Sequence, residues 1–514
     1  MPERSARLKS LACWLLCTLL PYVLPAQDAP KREFRGIWIA TVNQIDWPSG
    51  SRLSTEEQIA QLTALLDSIA AHGFNTVIFQ VRPAGDAFYD SPYEPWSQWL
   101  TGVQGQAPDP YYDPLAFLVS ECHRRGMELH AWFNPFRAAT DVRRIAGFAP
   151  EHVVNQHPEW LLTYGNSVYF DPGLPAARAW VLRVILDVVR RYDIDAVHFD
   201  DYFYPYKVDN QEFPDTLSYT LHGAGSQDLD AWRRSNVDAF VRAVHDSILA
   251  AKPWVRFGIS PFAVWRNRSM DPEGSDTRAG IASYDDLHAD IRAWVRKGWI
   301  DYVLPQLYFS IGFPAADYEK LLAWWARNRG DRHLYIGHSP YKINANSDKN
   351  WENPRQILEQ VYLARDGQTA QGSAFFSANW LAKNPLGWAD TLKNHLYRHP
   401  ALIPPSPWID ARPPLEPYDV QLNSIRGGLL LRWKDPAFRG DSACYYVVYR
   451  REGRQVPEAV AEHIVAVLRD QPEAWLDTRT RVFRKYTYAI TAVDRLHNES
   501  GLSEAVSRRR WSRR

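Results

Sequence analysis

Short apolar runs alternate with amphipathic stretches from residue 33 to about residue 395. The runs have the length and composition of strands buried on both faces, and each is followed by a loop and a helical pattern, which is typical of a parallel sheet. Eight strands are predicted, at Phe34–Ala40, Asn75–Val81, Met127–Phe133, Ile194–Asp200, Val255–Ser260, Tyr302–Tyr308, His333–His338 and Gly372–Ser377. Eight units in about 370 residues predict an α/β fold, a (β/α)8 TIM-type barrel with long loops over residues 33–400.

Helical periodicity and end signals place the helices between these strands. Ser54–Glu57 forms a capping box, apolar residues recur at helical spacing behind it, and His72–Gly73 ends the helix. Further helices are predicted at Pro114–Arg125, Ala176–Tyr192 and Tyr284–Lys297. No glycine-rich nucleotide loop follows the first strand, so the pattern favours a barrel over a doubly wound sheet.

The pattern changes at about residue 400. Residues 401–416 are rich in proline and predict a stiff linker. Residues 417–508 then carry β-like runs separated by turns, with Trp433 early and Tyr486-Thr-Tyr488 late. This arrangement is similar to a fibronectin type III sandwich, an all-β unit. We expect a spacer or docking module, and a barrel ending near Pro405 that folds and stays active without it.

The first 26 residues predict an export signal. A positive start (Arg4, Arg7 and Lys9) precedes the apolar run Leu11–Leu20, and Leu24-Pro-Ala26 is a plausible cleavage site. The apolar run is short for a membrane span, and no later segment is long enough to form one. The mature chain is therefore expected to be periplasmic or secreted. Its two remaining cysteines fall in different predicted domains, which argues against a disulfide or a cysteine metal site.

Composition narrows the classes of partner. The formal net charge is +0 and basic residues are concentrated only at the last few positions, which argues against nucleic-acid binding. The chain contains 22 Trp and 26 Tyr, and aromatic faces exposed in a cleft suit the apolar faces of sugar rings.

The candidate chemistry lies where the fourth strand ends. Asp200 and Asp201 follow the apolar run directly, and adjacent carboxylates at a buried strand end need solvation, pairing or a chemical task. In a (β/α)8 barrel this end of the strands carries the active site, so both aspartates are the candidate catalytic residues. The alternative is an acidic turn that caps the next helix.

Other strand ends and loops supply candidate substrate-binding residues. They combine amides for hydroxyl groups, charges and aromatic platforms, as a glycosidase needs. The candidates are Trp38, Arg82, Asp86, Trp132, Asn134, Arg137, Tyr202, Tyr204, Gln306, Tyr308 and Trp380. Trp38 and Trp132 could instead be core residues, and Arg82 could simply pair with Asp86. His198 is expected to orient a neighbouring carboxylate; further His or Cys donors are scarce at this rim, so no metal or other cofactor is expected.

Several ordered motifs resemble the glycosyl hydrolase-like ten family. They are Arg35–Val42, Ile45–Pro48, Phe79–Pro83 with Gly85–Asp86, Ala131–Pro135, Asp171–Gly173, His198–Pro205, Ile259–Phe262 and Pro305–Tyr308. The resemblance runs from about residue 33 to 395 and implies a barrel that cleaves a β-linked amino-sugar polymer, such as peptidoglycan glycan strands stripped of their peptides. Lipid-attached members carry an acylated cysteine, and neither Cys13 nor Cys17 lies at such a site.

Two mechanisms and three rival functions stay open at this point. Neighbouring carboxylates on one strand end suit substrate-assisted hydrolysis, in which a 2-acetamido oxygen is the nucleophile, one aspartate orients the amide and the other protonates the leaving oxygen. The alternative is direct displacement with Asp86 or Asp46 as the second carboxylate. A barrel that binds glycan without cutting it, a glycosidase of another polysaccharide, and a metal-dependent hydrolase are the competing functions.

Overall fold

The structure is a computed structural model that describes residues 29–223, 228–436, 443–469 and 473–511. The predicted signal peptide, residues 1–26, lies outside the described residues. The strands are β1 (Phe34–Ile39), β2 (Thr76–Arg82), β3 (Glu128–Phe133), β4 (Arg137–Ala139), β5 (Leu161–Tyr164), β6 (Ser167–Phe170), β7 (Ala196–Phe199), β8 (Arg256–Ile259), β9 (Tyr302–Val303), β10 (His333–His338), β11 (Gly372–Phe375), β12 (Tyr418–Ile425), β13 (Gly428–Lys434), β14 (Tyr445–Glu452), β15 (Ile464–Arg469), β16 (Ala474–Asp477), β17 (Lys485–Val493) and β18 (Val506–Arg509).

The α-helices lie mainly between the strands of the first sheet. They are Thr55–Ala71, Gln98–Thr101, Pro114–Arg124, Val153–Gln156, Pro175–Arg191, Thr216–His222, Leu229–Ala251, Ser283–Asp286, Ile291–Arg296, Tyr318–Asn328, Gln356–Arg365, Ala378–Lys383 and Trp388–Asn394. No helix in the described ranges combines the length and apolar character needed to cross a membrane.

Eight parallel strands close into a barrel in the order β1-β11-β10-β9-β8-β7-β3-β2, which confirms the predicted barrel. All eight strands are buried throughout, as expected for strands covered on both faces. The sixth is much shorter than predicted. Pro305 has no backbone N–H to donate, and the chain beyond β9 continues along the rim by isolated bridges from Gln306 to Phe262 and Gly337.

The prediction of a single helix over Tyr284–Lys297 is wrong in its middle part. It is two short helices, Ser283–Asp286 and Ile291–Arg296, separated by His288 with a φ of 51°. Asp290 provides the physical reason, because its carboxylate accepts from the backbone N–H of Ala293 and so starts a new helix.

Two antiparallel sheets follow the barrel, in agreement with the predicted all-β unit. One has the order β12-β13-β16 and the other β15-β14-β17-β18. Their facing sides bury Leu431, Trp433, Tyr446, Tyr488 and Ile490 in one cluster. The likeness to fibronectin type III domains and the domain boundaries stay predictions.

The C-terminal sheets dock on the amino ends of the barrel strands. His497 Nε2 lies 2.7 Å from Glu128 Oε1 at the start of β3, and Arg469 lies 2.7 Å from Asp195 just before β7. The proline-rich segment lies against the same end, since Leu402 is buried and the Trp408 indole donates to Asp301 at 2.8 Å. The proline-rich segment therefore packs along the barrel.

Because the C-terminal sheets dock on the barrel, we expect the barrel without them to be less stable; that it folds and stays active alone stays a prediction. A chain ending at Pro405 should have a lower free energy of unfolding than the full chain by about 3 kcal/mol or more, the size of loss on breaking one buried ion pair. The measurement is denaturant unfolding of both chains. As a control, Arg495→Gln breaks an ion pair to Asp193 that is 40% and 43% exposed, and should cost under about 1 kcal/mol. Equal stability of the truncated and full chains would contradict the role assigned to docking.

Candidate active site

A cavity of about 290 Å³ opens at the carboxyl ends of the barrel strands. Its walls come from residues that end a strand or begin the following loop. They are Trp38, Ala40, Val42, Ile45, Gln80, Trp132, Arg137, Asp200, Asp201, Tyr202, Tyr206, Ser260, Gln306, Tyr308, Tyr341 and Phe376. Eight of the predicted site residues meet here: Trp38, Trp132, Arg137, Asp200, Asp201, Tyr202, Gln306 and Tyr308.

The alternating side-chain directions along β7 determine where the two aspartates point. The Phe199 ring packs outward against Phe240 and Phe257, with ring centroids 6.0 and 4.9 Å away. The strand ends at Phe199, and both carboxylates then reach the cavity while only 5% and 6% exposed. The chain therefore turns at the strand end so that neighbouring side chains face one cavity, which a continuing strand would prevent.

Asp200 is hydrogen-bonded to residues of β3 and of the loop that follows it. Its Oδ2 accepts from the Asn134 amide and, at 3.3 Å, from the Trp132 indole N–H. Burial raises the pKa of Asp200 to about 7, the negative charge of Asp201 adds to the rise, and Arg137 opposes it. The carboxyl thus holds its proton up to neutral pH.

Asp201 has a different set of partners. Its Oδ2 accepts from the Tyr206 hydroxyl. Burial raises the pKa of Asp201, while hydrogen bonds from Tyr206 and Gln306 act in the opposite direction and favour the carboxylate. Two acids in one water-poor cavity cannot both ionise cheaply, so the pair has one acid and one base available near neutral pH.

Aromatic rings form much of the remaining wall. Trp38, Trp132, Tyr202 and Tyr308 were predicted, whereas Tyr206, Tyr341 and Phe376 were not. Phe376 directly follows β11, so the rule that strand ends carry the site could have found it. Tyr206 lies in an irregular loop, where no sequence period indicates the direction of a side chain.

Asn134 and Arg137 support the cavity in different ways. Asn134 is fully buried behind the wall, where Gln80 donates to its side-chain oxygen at 2.6 Å and leaves its amide N–H groups for Asp200. Arg137 lines the cavity with its guanidinium 5.5 Å from the Tyr202 ring centre, and its Nε donates to the Pro83 carbonyl at 2.8 Å. Asn134 is therefore placed to act on Asp200 rather than on a ligand.

Arg82 and Asp86 do not line the cavity. Arg82 is fully buried and forms two hydrogen bonds with Glu94, at 2.6 and 2.7 Å. Asp86 accepts from the backbone N–H of Ala84 at 3.3 Å and from Ser97, and burial raises its pKa to about 7. Glu94 is thus the partner of Arg82, not Asp86 as the sequence suggested.

Tyr204 and Trp380 also lie outside the cavity walls. Tyr204 is buried, with its ring centre 5.3 Å from that of Phe213 and 4.9 Å from that of His288. Trp380 is half-buried on the helix Ala378–Lys383, with the Lys383 ammonium 4.3 Å from its ring centre. Both side chains have structural contacts in place of the expected contact with a ligand.

Both carboxylate oxygens of Asp46 accept hydrogen bonds from the protein. Its Oδ1 accepts from the Ser377 hydroxyl at 2.6 Å and from the Asn379 backbone at 2.8 Å, and its Oδ2 from the Ala40 backbone at 2.7 Å. Asp46 does not line the cavity. A carboxylate with these bonds shapes the loop after β1.

His198 points into the barrel, but its contacts are not with a carboxylate. It meets the Tyr302 hydroxyl at 2.9 Å, the Ser260 hydroxyl at 3.0 Å and the Trp38 indole at 3.3 Å. Among the described residues, no group of three or more His, Cys, Asp or Glu side chains is arranged to hold a metal ion.

Comparison with known proteins identifies the family. The model of the family described as Glycosyl hydrolase-like 10 matches residues 33–353. The chain belongs to this family. It is an enzyme of the glycoside hydrolase class, and its implied substrate class is polysaccharide.

Two curated relatives and one solved structure illustrate the similarity. Glycosyl hydrolase YngK of Bacillus subtilis (strain 168) is 45% identical over 494 residues, which are 95% of this chain and 96% of that protein. Glycosyl hydrolase DigH of Escherichia coli (strain K12) is 40% identical over 334 residues, 61% of this chain and 74% of that protein. The PgaB (BpsB) glycoside hydrolase domain from Bordetella bronchiseptica is 13% identical with a TM-score of 0.45, and the alignment covers 71% of this chain and 99% of that one.

Proposed function

We propose that this glycoside hydrolase cleaves a β-linked N-acetylated amino-sugar polymer, with peptide-free peptidoglycan glycan strands as its substrate. Asp200 and Asp201 are the proposed acid–base pair. The observation that supports this role is that two adjacent carboxyls share one largely buried cavity, each with its own set of hydrogen-bond donors. The aromatic walls suit sugar ring faces, and Arg137 and Gln306 suit hydroxyl or amide groups.

Substrate-assisted hydrolysis accounts for this arrangement better than direct displacement. A displacing enzyme needs a second carboxylate across the bond, and both candidates for it, Asp46 and Asp86, lie outside the cavity walls with their oxygens hydrogen-bonded. In the proposed mechanism the substrate's acetamido oxygen attacks the anomeric carbon. Asp201, which the Tyr206 and Gln306 donors favour as a carboxylate, orients the acetamido N–H. Asp200, whose pKa is raised to about 7 by burial, gives its proton to the leaving oxygen.

The first prediction concerns the two aspartates. Asp200→Asn and Asp201→Asn should each lower kcat by at least about a hundredfold, because each removes a group that acts only along the reaction path. For Asp200→Asn, the loss should be smaller on an aryl glycoside with a good leaving group, which needs less protonation. Steady-state kinetics and circular dichroism of both variants test this. Wild-type rates in either variant would exclude that residue from the mechanism.

The second prediction is a pH dependence. Because Asp200 must be protonated to donate, and burial and Asp201 raise its pKa to about 7, kcat/KM should fall as pH rises through about 7. Asp201→Asn removes the charge that helps to raise this pKa, so in that variant the fall should move to lower pH. Asp200→Asn should lose this limb altogether. An alkaline limb that persists unchanged in Asp200→Asn would assign the proton to another group.

The third prediction identifies the substrate and route. The protein is incubated with peptide-free peptidoglycan glycans, chitin oligomers and neutral β-glucans, and the products are read by mass spectrometry. Products are expected from the peptidoglycan glycans and none from the neutral β-glucans. De-N-acetylated strands should bind yet not turn over, because they lack the nucleophile. A thiazoline that mimics the cyclic intermediate should inhibit tightly. Covalent sugar trapped on an aspartate would instead establish direct displacement.

We also propose that the chain is exported, on the basis of the positive, apolar and small-residue segments of residues 1–26. Expression of the full chain should give a mature protein that begins at Gln27. Amino-terminal sequencing together with cell fractionation measures this directly. A cytoplasmic product that retains Arg4 and Arg7 would contradict export.

A further inference from the structure

A continuous line of polar side chains runs through the barrel interior, from the docked C-terminal sheets to the cavity. His497 Nε2 lies 2.7 Å from Glu128 Oε1, and Glu128 Oε2 lies 3.1 Å from His130 Nε2. His130 Nδ1 then lies 2.9 Å from the Tyr302 hydroxyl, which lies 2.9 Å from His198 Nδ1. Each of these five residues is at most 3% exposed.

The upper end of the line reaches the cavity wall. His198 Nε2 lies 3.0 Å from the Ser260 hydroxyl and 3.3 Å from the Trp38 indole nitrogen. Ser260 and Trp38 both line the cavity. We call these two side chains the cavity floor.

The direction of every bond follows from the two ends. Glu128 can only accept: burial would raise its pKa, but Arg256 and the hydrogen bonds from His497 and His130 hold it well below the usual range. His130 must therefore donate from Nε2, and its neutral ring accepts at Nδ1 from the Tyr302 hydroxyl. Tyr302 in turn accepts from His198 Nδ1–H, which leaves His198 Nε2 as an acceptor.

The other end of the hydrogen-bond chain favours the same direction. The Trp38 indole is a donor only, and at 3.3 Å it favours an unprotonated His198 Nε2 without being able to fix it alone. If every donor and acceptor in this hydrogen-bond chain were exchanged, a lone pair of His130 would face the Glu128 carboxylate, and an N–H of His198 would face the Trp38 N–H. A contact of 3.4 Å from Arg256 to His130 Nε2 is too long to offset those two repulsions.

We propose that Glu128 is a positioning residue for the active site. His497 holds its carboxylate in place, and Glu128 acts through the directed hydrogen-bond chain. It thereby fixes the tautomer of His198 and the orientation of the cavity floor. The inference rests on the proposed location of the active site. With His198 Nε2 accepting, Trp38 is held in one orientation. The Ser260 hydroxyl then donates within the protein, to His198 Nε2 at 3.0 Å or to the Phe199 carbonyl at 3.3 Å, and keeps its lone pairs for a ligand hydroxyl or amide N–H.

The same geometry specifies a substitution that should reverse the chain. Oε1 of Glu128 accepts from both His497 and Arg256, whereas Oε2 faces only His130. In Glu128→Gln the two donors retain the amide oxygen at the Oε1 position, so the NH2 group takes the Oε2 position. It then donates to His130 Nε2, Tyr302 donates to His198, and the proton of His198 moves to Nε2, against Trp38.

The test is nitrogen NMR of the full chain labelled with ¹⁵N-histidine, with His198 assigned by the spectrum of His198→Asn. Unaltered protein should show neutral His198 protonated at Nδ1, and Glu128→Gln should show it protonated at Nε2, with kcat on the active substrate roughly tenfold lower. Tyr302→Phe should release His198 into a mixture of tautomers. Adding Glu128→Gln to Tyr302→Phe should then change neither His198 nor kcat further, because the connecting hydroxyl is gone.

Asp195→Asn is the matched control. Asp195 is also a buried carboxylate under the docked sheets and is bonded to Arg469 and His123, but it is not part of the hydrogen-bond chain. Its variant should lose stability while keeping the His198 tautomer and kcat. An unchanged His198 spectrum in Glu128→Gln would overturn the proposal, as would the same spectral change in Asp195→Asn. If Glu128→Gln does not fold, a single His198 tautomer in Tyr302→Phe overturns it. The spectra need no substrate, so they remain decisive even if the proposed function fails.

Discussion

Side chains on the axis of a closed parallel barrel are shut away from water, so each polar group there needs a partner inside the protein. This constraint organises the molecule from end to end. At the amino ends of the strands, Arg256 neutralises Glu128, and Arg469 of the C-terminal sheets neutralises Asp195. At the carboxyl ends, burial raises the pKa of Asp200 and Asp201, the charge of Arg137 opposes this rise only in part, and the proton that remains available makes that end reactive.

The two ends therefore use buried charge in opposite ways. Where Arg256 meets Glu128, the pKa of the carboxyl stays low and the group is a fixed acceptor. Where Asp200 and Asp201 lie side by side, burial raises the pKa of each, the charge of Asp201 adds to the rise at Asp200, and a proton becomes available. Neutral, directional groups such as Tyr302 and His198 lie between them and separate the regions of fixed charge.

Sequence pattern predicted the barrel well, because strands buried on both faces leave short apolar runs and helices leave a different period. The same rule located Asp200, Asp201 and Trp132 at strand ends. It could not show which strand-end residues are already bonded within the protein: Arg82 was expected at the ligand, but Glu94, in the loop that follows β2, pairs with it. The docking of His497 likewise depends on a contact between distant segments, which periodicity does not record. The broken helix near Asp290 has a local cause, a cap by Asp290 that the apolar period alone did not indicate.

The strand β11 pairs with β1 on one side and β10 on the other, and so joins the first and seventh strands of the barrel. The family match ends at residue 353, before that strand begins at Gly372. A protein cut at the family boundary would thus be an open sheet with two unpaired edges, each free to add strands from other molecules. The residues matched by the family model are therefore fewer than the residues needed to close the barrel.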